Sequence, residues 1–119
     1  MLVAGDEPLD ELSIAGPSTI LRVGKCGRGT LRIEPEDVGL AMHPLDELRG
    51  GDAAFNAAAL RRMLQGEPGA YRDAVLLNSA AALMVAGRVS TLAEGVEEAG
   101  EVLDNGLANT LLDCWIAYR

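Results

Sequence analysis

The sequence predicts an α/β fold in which a short strand and a β-hairpin pack with about four helices. The first third of the chain has short apolar or alternating runs separated by glycine and proline. From residue 52 onward, apolar residues instead recur at helical spacing. A chain of 119 residues with 49% hydrophobic residues can bury a core, and its length limits it to one domain. We therefore expect one continuous domain, or one continuous piece of a larger one.

The strands come first along the chain. Residues 1–4 form a short apolar run that ends at Gly5, which is typical of a buried strand with neighbours on both sides. Because the chain supplies nothing before this run, the pattern indicates a missing upstream partner. Residues 19–23 and 30–33 alternate enough to predict a hairpin, with the glycine-rich stretch 24–29 as its turn.

Proline and glycine mark two single helical turns before the long helices. Pro35 begins the first, which Gly39 ends, and residues 44–48 form the second. Asp52 then predicts the start of the first long helix, since its side chain can accept hydrogen bonds from the first free backbone amides.

The four predicted helices differ in the face that they should bury. The first has a single apolar stripe: Phe55, Ala59 and Met63. The second, about residues 70–86, is apolar almost all round, which predicts a central and fully buried helix. Thr91 and Glu94 fit a capping box at the start of the third. The fourth covers about residues 107–118 and should pack through one apolar side, which carries Leu111, Cys114 (or Trp115) and Tyr118.

Composition excludes several classes of function. With 18 acidic and 10 basic residues the net charge is −8, and only 3% of residues are aromatic, so we expect no nucleic-acid binding and no membrane binding. No apolar run is long enough to span a membrane, and the first residues do not resemble a signal peptide. Two distant cysteines and one histidine cannot form a structural zinc set. We therefore expect a cytoplasmic protein with free thiols.

Asp10 and Glu11 are the most suggestive candidate functional residues. They follow the first predicted strand, and ligands of parallel α/β sheets bind beyond the carboxyl ends of strands. Mg²⁺ takes one or two carboxylates and fills its other positions with water and phosphate oxygens. From spacing alone two interpretations stay open, a Mg²⁺ site and a solvated acidic loop.

The other candidate residues favour structural interpretations. The stretch 24–29 lacks the ending and the following helix of a phosphate-binding loop, which favours a hairpin turn. Asp52 should cap its helix, and His43, with no partner at a suitable spacing, should lie at the surface. Cys114 should pack on the apolar side of the last helix, and Asn78 and Ser79 should be satisfied by groups around them or at a helix end, while a substrate role for these two residues stays open.

Five segments occur in one order along the chain: DELS with the following GP (10–17), IEPEDVGL (33–40), RGGD with the following asparagine (49–56), RDAVLLNSA (72–80) and STLAEGVEEAGEVLDNG (90–106). Together they closely resemble the C-terminal part of anthranilate phosphoribosyltransferase. The resemblance covers nearly the whole chain. It implies an α/β domain of the phosphoribosyltransferase and nucleoside-phosphorylase-like kind.

The resemblance implies transfer of the 5-phosphoribosyl group of phosphoribosyl pyrophosphate (PRPP) to anthranilate with release of pyrophosphate, in tryptophan biosynthesis. It places that family's Mg²⁺-binding pair on Asp10 and Glu11, and it assigns no catalytic residue to this chain. Two residues before the aspartate the family has glycine, whereas this chain has Pro8, whose fixed φ should change the loop.

The resemblance also implies that parts of the enzyme are missing. The family's glycine-rich PRPP loop, its lysine-containing substrate segment and its N-terminal helical domain, which makes the homodimer contact, all precede this chain. Residues 1–119 are therefore expected to be the C-terminal section of the α/β domain, inactive without the upstream half. Two alternatives remain: a non-catalytic stand-alone remnant that binds another protein, and part of a related nucleoside phosphorylase.

Overall fold

The computed structural model describes residues 1–7, 9–24 and 27–118. These residues form strands β1 (Leu2–Gly5), β2 (Ser18–Gly24) and β3 (Gly27–Ile33), followed by helices α1 (Ala53–Leu64), α2 (Ala70–Val85), α3 (Leu92–Asp104) and α4 (Leu107–Ala117). Two 3₁₀ turns, Pro35–Val38 and Leu45–Leu48, lie between the sheet and α1. The predicted fold of a short strand, a hairpin and four helices is confirmed.

The strands form one antiparallel sheet in the order β1-β2-β3. At its centre Ile20 of β2 pairs with Val3 of β1 and with Leu31 of β3. The predicted hairpin is confirmed, and both strands extend further toward the turn than the alternation indicates. The turn residues Lys25 and Cys26 lie outside the described residues, so the prediction for the turn itself is not tested.

Burial of the first strand between two neighbours is not found within the described residues. Among the described strands β1 pairs with β2 alone, in antiparallel orientation, and the Leu2 side chain is 67% exposed. Val3 points the other way and packs against the core. A short run that is apolar on both faces hides this alternation, because side-chain chemistry then no longer distinguishes the two faces.

The helix starts follow the predicted capping chemistry. Asp52 Oδ1 accepts a hydrogen bond from the Phe55 amide at 2.8 Å. Thr91 Oγ1 accepts from the Glu94 amide at 3.2 Å, and the Glu94 carboxylate accepts from the Thr91 amide at 3.2 Å. Each contact satisfies an amide that the helix leaves without an internal partner, so the side chains fix where α1 and α3 begin.

The core lies where α2 packs against α3 and against the loop between β1 and β2. Four core side chains expose no more than 1% of their surface: Leu12, Ile14, Ile20 and Leu77. The contact between α2 and α3 is tightest at Gly95, where an added Cβ would lie 2.7 Å from the Cα of Ala80.

The predictions of burial for α1, α2 and α4 need correction. One face of α2 is buried, but its Val85 is 65% exposed. Phe55 of α1 is half exposed, and the outer face of α4 is open, with Trp115 76% exposed and Cys114 exposed as well. Periodicity identifies the apolar faces, whereas burial requires a neighbouring element, and the described chain places none on these faces.

No helix in the described ranges has both the length and the hydropathy needed to cross a membrane.

Candidate functional site

Asp10 and Glu11 lie in the loop from residue 6 to residue 17 that joins β1 to β2. Both are exposed, and neither pairs with a basic side chain of the described residues. Pro8, the departure two positions earlier, lies outside the described residues, so its effect on the loop stays a prediction. The two carboxylates are thus open to solvent and available to an external cation.

The chain turns inward directly after this pair, at Leu12, which is 1% exposed. The Leu12 amide donates to Asn78 Oδ1 at 2.9 Å, and Asn78 Nδ2 donates to the Leu12 carbonyl at 3.0 Å. Nδ2 also donates to the Ala74 carbonyl, one turn earlier in α2, at 3.0 Å. One side chain of α2 therefore satisfies both backbone groups of the residue that follows the acidic pair.

Two buried serines hold the next turn of the loop. The Ser13 amide donates to Ser18 Oγ at 2.9 Å, and the Ala15 amide donates to Ser13 Oγ at 3.0 Å. Both serines are 1% exposed. These contacts satisfy backbone groups that burial removes from water, which explains why a polar segment can lie at the edge of the core.

His43 attaches the same loop to α2 by a second route. Its amide donates to the Ile14 carbonyl at 2.9 Å. Its ring bonds to two carboxylates, with Nε2 2.8 Å from Asp73 Oδ2 and Nδ1 3.3 Å from Glu47 Oε2. The predicted surface position without a partner is wrong, because the principal partner lies 30 residues away on α2. The hydrogen bond to Asp73 raises the pKa of His43, although desolvation works against it.

The two acids before the pair have other surroundings. Arg32 of β3 holds Asp6, with Nη1 3.0 Å from Asp6 Oδ1, and this hydrogen bond lowers the pKa of Asp6. The Glu7 side chain lies across the loop, where a Cβ on Gly16 would come within 2.8 Å of Glu7 Oε1. Of the four acids in this loop, Asp10 and Glu11 are therefore the two exposed carboxylates without a basic partner among the described residues.

The donor set of the acidic pair fits Mg²⁺. Carboxylate oxygens are hard donors, and Mg²⁺ binds through one or two of them while keeping several waters. The described residues contain no cluster of three or more metal-binding side chains, so water or phosphate oxygens would supply the remaining positions. Asp10 and Glu11 do not follow a parallel strand as the sequence suggested, because β1 and β2 are antiparallel.

The loop, the sheet and most of the helices lie within a segment that matches a known protein family. Residues 1–109 match the family model described as "Glycosyl transferase family, a/b domain". The chain belongs to this glycosyl transferase family. The resemblance predicted from the motifs is thereby confirmed.

Two relatives of this chain are named anthranilate phosphoribosyltransferase. The chain is 61% identical over 118 residues to the one of Sphingopyxis alaskensis, covering 99% of this chain and 36% of the relative. It is 53% identical over 116 residues to that of Novosphingobium aromaticivorans, covering 98% of this chain and 35% of the relative. The chain thus spans about a third of the length of these relatives.

Solved structures of the family have the same fold as this chain. The anthranilate phosphoribosyltransferase of Thermus thermophilus superposes with a TM-score of 0.87 at 43% identity, covering 97% of this chain and 34% of that one. The enzyme of Saccharomyces cerevisiae in complex with PRPP and Mg superposes with a TM-score of 0.82 at 26% identity, covering 93% and 32%. The predicted fold class is therefore confirmed at the level of the family.

Proposed function

We propose that this chain is the C-terminal section of an anthranilate phosphoribosyltransferase. The complete enzyme would transfer the 5-phosphoribosyl group of PRPP to anthranilate and release pyrophosphate, a cytoplasmic step of tryptophan biosynthesis. The observation that carries the proposal is the loop at Asp10 and Glu11, which presents two exposed carboxylates on a backbone anchored to α2. The relatives' shared name and the yeast complex with PRPP and Mg support it.

The chemistry explains why two such carboxylates are useful. When the bond between the ribose and the diphosphate breaks, negative charge develops on the departing diphosphate and positive character on the ribose carbon. A bound Mg²⁺ would supply stabilisation of that negative charge. Asp10 and Glu11 would hold the ion from the protein side, and their exposure leaves its other positions open to diphosphate oxygens.

The proposal assigns only part of the reaction to this chain. It contributes the acidic pair and its scaffold, and it covers about a third of the relatives' length. We propose that residues 1–119 are one section of the α/β domain. Anthranilate and the rest of PRPP would bind to other parts of the complete enzyme, which would also make the homodimer contact. The chain on its own is then expected to be inactive.

A chimera tests the proposal. The Sphingopyxis alaskensis enzyme would carry residues 1–119 in place of its matching segment, and formation of phosphoribosylanthranilate from PRPP, Mg²⁺ and anthranilate would be measured. We expect activity, and we expect Asp10→Asn or Glu11→Gln to lower kcat by about 100-fold, the usual loss when one group that stabilises transition-state charge is removed.

The control for this experiment is Glu36→Gln, which neutralises another exposed acid in the first 3₁₀ turn and should leave the rate unchanged. Equal rates for the chimera and its Asp10→Asn variant would remove the acidic pair from the mechanism. An inactive chimera that is folded would favour the non-catalytic alternative, and phosphorolysis of nucleosides would favour the nucleoside phosphorylase.

A further inference from the structure

We propose that Asn78 is the positioning residue of the acidic pair. By binding both backbone groups of Leu12, it sets the direction in which Glu11 and Asp10 present their carboxylates. The inference rests on the proposed function, since it assumes that these carboxylates bind a divalent cation. It assigns Asn78 no contact with substrate or metal.

Asn78 makes hydrogen bonds to a residue outside its own helix as well as within it. An asparagine within a helix can satisfy one donor on the carbonyl four residues earlier, as Asn78 does with Ala74. Its remaining bonds cross to a residue 66 positions away in sequence, and both reach the same residue, Leu12. Asparagine is also a poor helix former, so this position carries a cost that a purely apolar packing residue would avoid.

The geometry of the peptide links this clamp to the acidic pair. The Leu12 amide belongs to the planar peptide unit that runs from the Glu11 Cα to the Leu12 Cα. Holding that amide at 2.9 Å from Asn78 Oδ1 therefore fixes the orientation of a plane that contains the Glu11 Cα. The second bond, at the Leu12 carbonyl, prevents the following peptide unit from rotating as well.

The support behind Asn78 is firm. Ala80, two residues further along α2, lies against Gly95 of α3 so closely that a Cβ there would clash. A second attachment, from the His43 amide to the Ile14 carbonyl, holds the loop independently of Asn78. Loss of the Asn78 clamp should therefore release Leu12 and the acidic pair while the rest of the loop stays in place.

The test uses Mn²⁺ as a paramagnetic substitute for Mg²⁺ and the 119-residue chain itself. Mn²⁺ titrations followed by NMR would record which backbone amide signals broaden, and at what concentration. Asn78→Ser is the main variant, because a serine hydroxyl can still bond to the Ala74 carbonyl but is too short to reach Leu12. Asn78→Ala is the second variant.

Asn56→Ala is the matched control. Asn56 Oδ1 accepts from the Gly51 amide at 2.9 Å, and its Nδ2 donates to the Gly51 carbonyl at 3.0 Å. The control thus removes the same pair of bonds from another loop. Thermal unfolding of each variant would verify that it is folded at the temperature of the titration.

We expect broadening around residues 10–12. Asp10→Asn should abolish this broadening, and Asn56→Ala should leave it unchanged. Asn78→Ser should raise the Mn²⁺ concentration needed for it by about tenfold, the lower end of the range for a lost outer-shell contact. Broadening that depends on Asp10 but not on Asn78 would overturn this inference and leave the proposed function intact. Broadening that does not depend on Asp10 would overturn the metal site of the proposed function.

Discussion

His43 Nε2 lies 2.8 Å from Asp73 Oδ2, and this contact joins the segment after the hairpin to the first turn of α2. The two side chains are only 18% and 19% exposed. Glu47 approaches the other ring nitrogen at 3.3 Å and is half exposed. Two carboxylates thus face one imidazole, and both favour its protonated form.

The first prediction concerns the pH dependence of folding. The hydrogen bond to Asp73 raises the pKa of His43 above its ordinary value of 6.5. Stabilisation by this pair is then fully present below the pKa of the unfolded chain and is lost as the pH rises through the folded pKa. The midpoint of thermal unfolding of the unmodified chain should exceed that of His43→Gln by more at about pH 5.5 than at about pH 9. A difference that is the same at both pH values would contradict the prediction.

The second prediction compares two glycines of the same helix. A Cβ on Gly95 would lie 2.7 Å from both Cα and Cβ of Ala80, so Gly95→Ala must push α2 and α3 apart. We expect it to lower the free energy of unfolding by about 1–3 kcal/mol, as overpacking does. Gly100 is the control, since its Cβ would meet only Arg72 Nη2 at 3.9 Å.

Gly100→Ala should raise the free energy of unfolding by up to about 1 kcal/mol, because alanine has the higher helix propensity. Urea unfolding followed by circular dichroism would measure both variants. Equal effects of the two substitutions would show that helix propensity, and not the contact between α2 and α3, governs α3.

The third prediction separates the candidate metal ligands from the scaffold. Asp10 and Glu11 are exposed and have no basic partner among the described residues, so Asp10→Asn and Glu11→Gln should change the free energy of unfolding by no more than about 0.5 kcal/mol. Each also removes one negative charge from a chain whose net charge is −8, which favours folding slightly. Chemical denaturation without divalent cations is the measurement. A marked loss of stability would mean that these side chains serve the fold.

Local chemistry explains what the sequence could predict. Asp52 and Thr91 cap α1 and α3 as expected, because a cap and the amides that it satisfies lie within three residues. The hairpin and the four helices follow from alternation and helical periodicity in the same way. The motifs also place the acidic pair in a loop, and they show which family the chain resembles.

Contacts between distant residues could not be predicted in this way. The bonds from Asn78 to Leu12 and from His43 to Asp73 span 66 and 30 residues, and nothing near either residue indicates the partner. The spacing of His43 and Glu47, four residues apart, was the one local signal for a bonded imidazole. Burial of β1 and α4 depends equally on which elements lie beside them, which the pattern of a single segment does not contain.

The last prediction concerns the outer face of α4. Leu111 and Trp115 are 71% and 76% exposed, while Leu112 on the inner face packs against the core. Trp115 is the only tryptophan, so all indole fluorescence reports on this face. Dilute folded chain should emit at nearly the wavelength of the urea-unfolded chain, and neutral acrylamide should quench both similarly.

The double variant Trp115→Phe and Leu112→Trp is the matched control, because it moves the indole to the inner face, where folding should shift the emission to shorter wavelength. If the unmodified chain showed that shift when dilute, the outer face of α4 would be covered and the exposed position of Trp115 would be wrong. If the shift appeared only as the protein concentration rose, it would report association through this apolar face, which large exposed side chains favour.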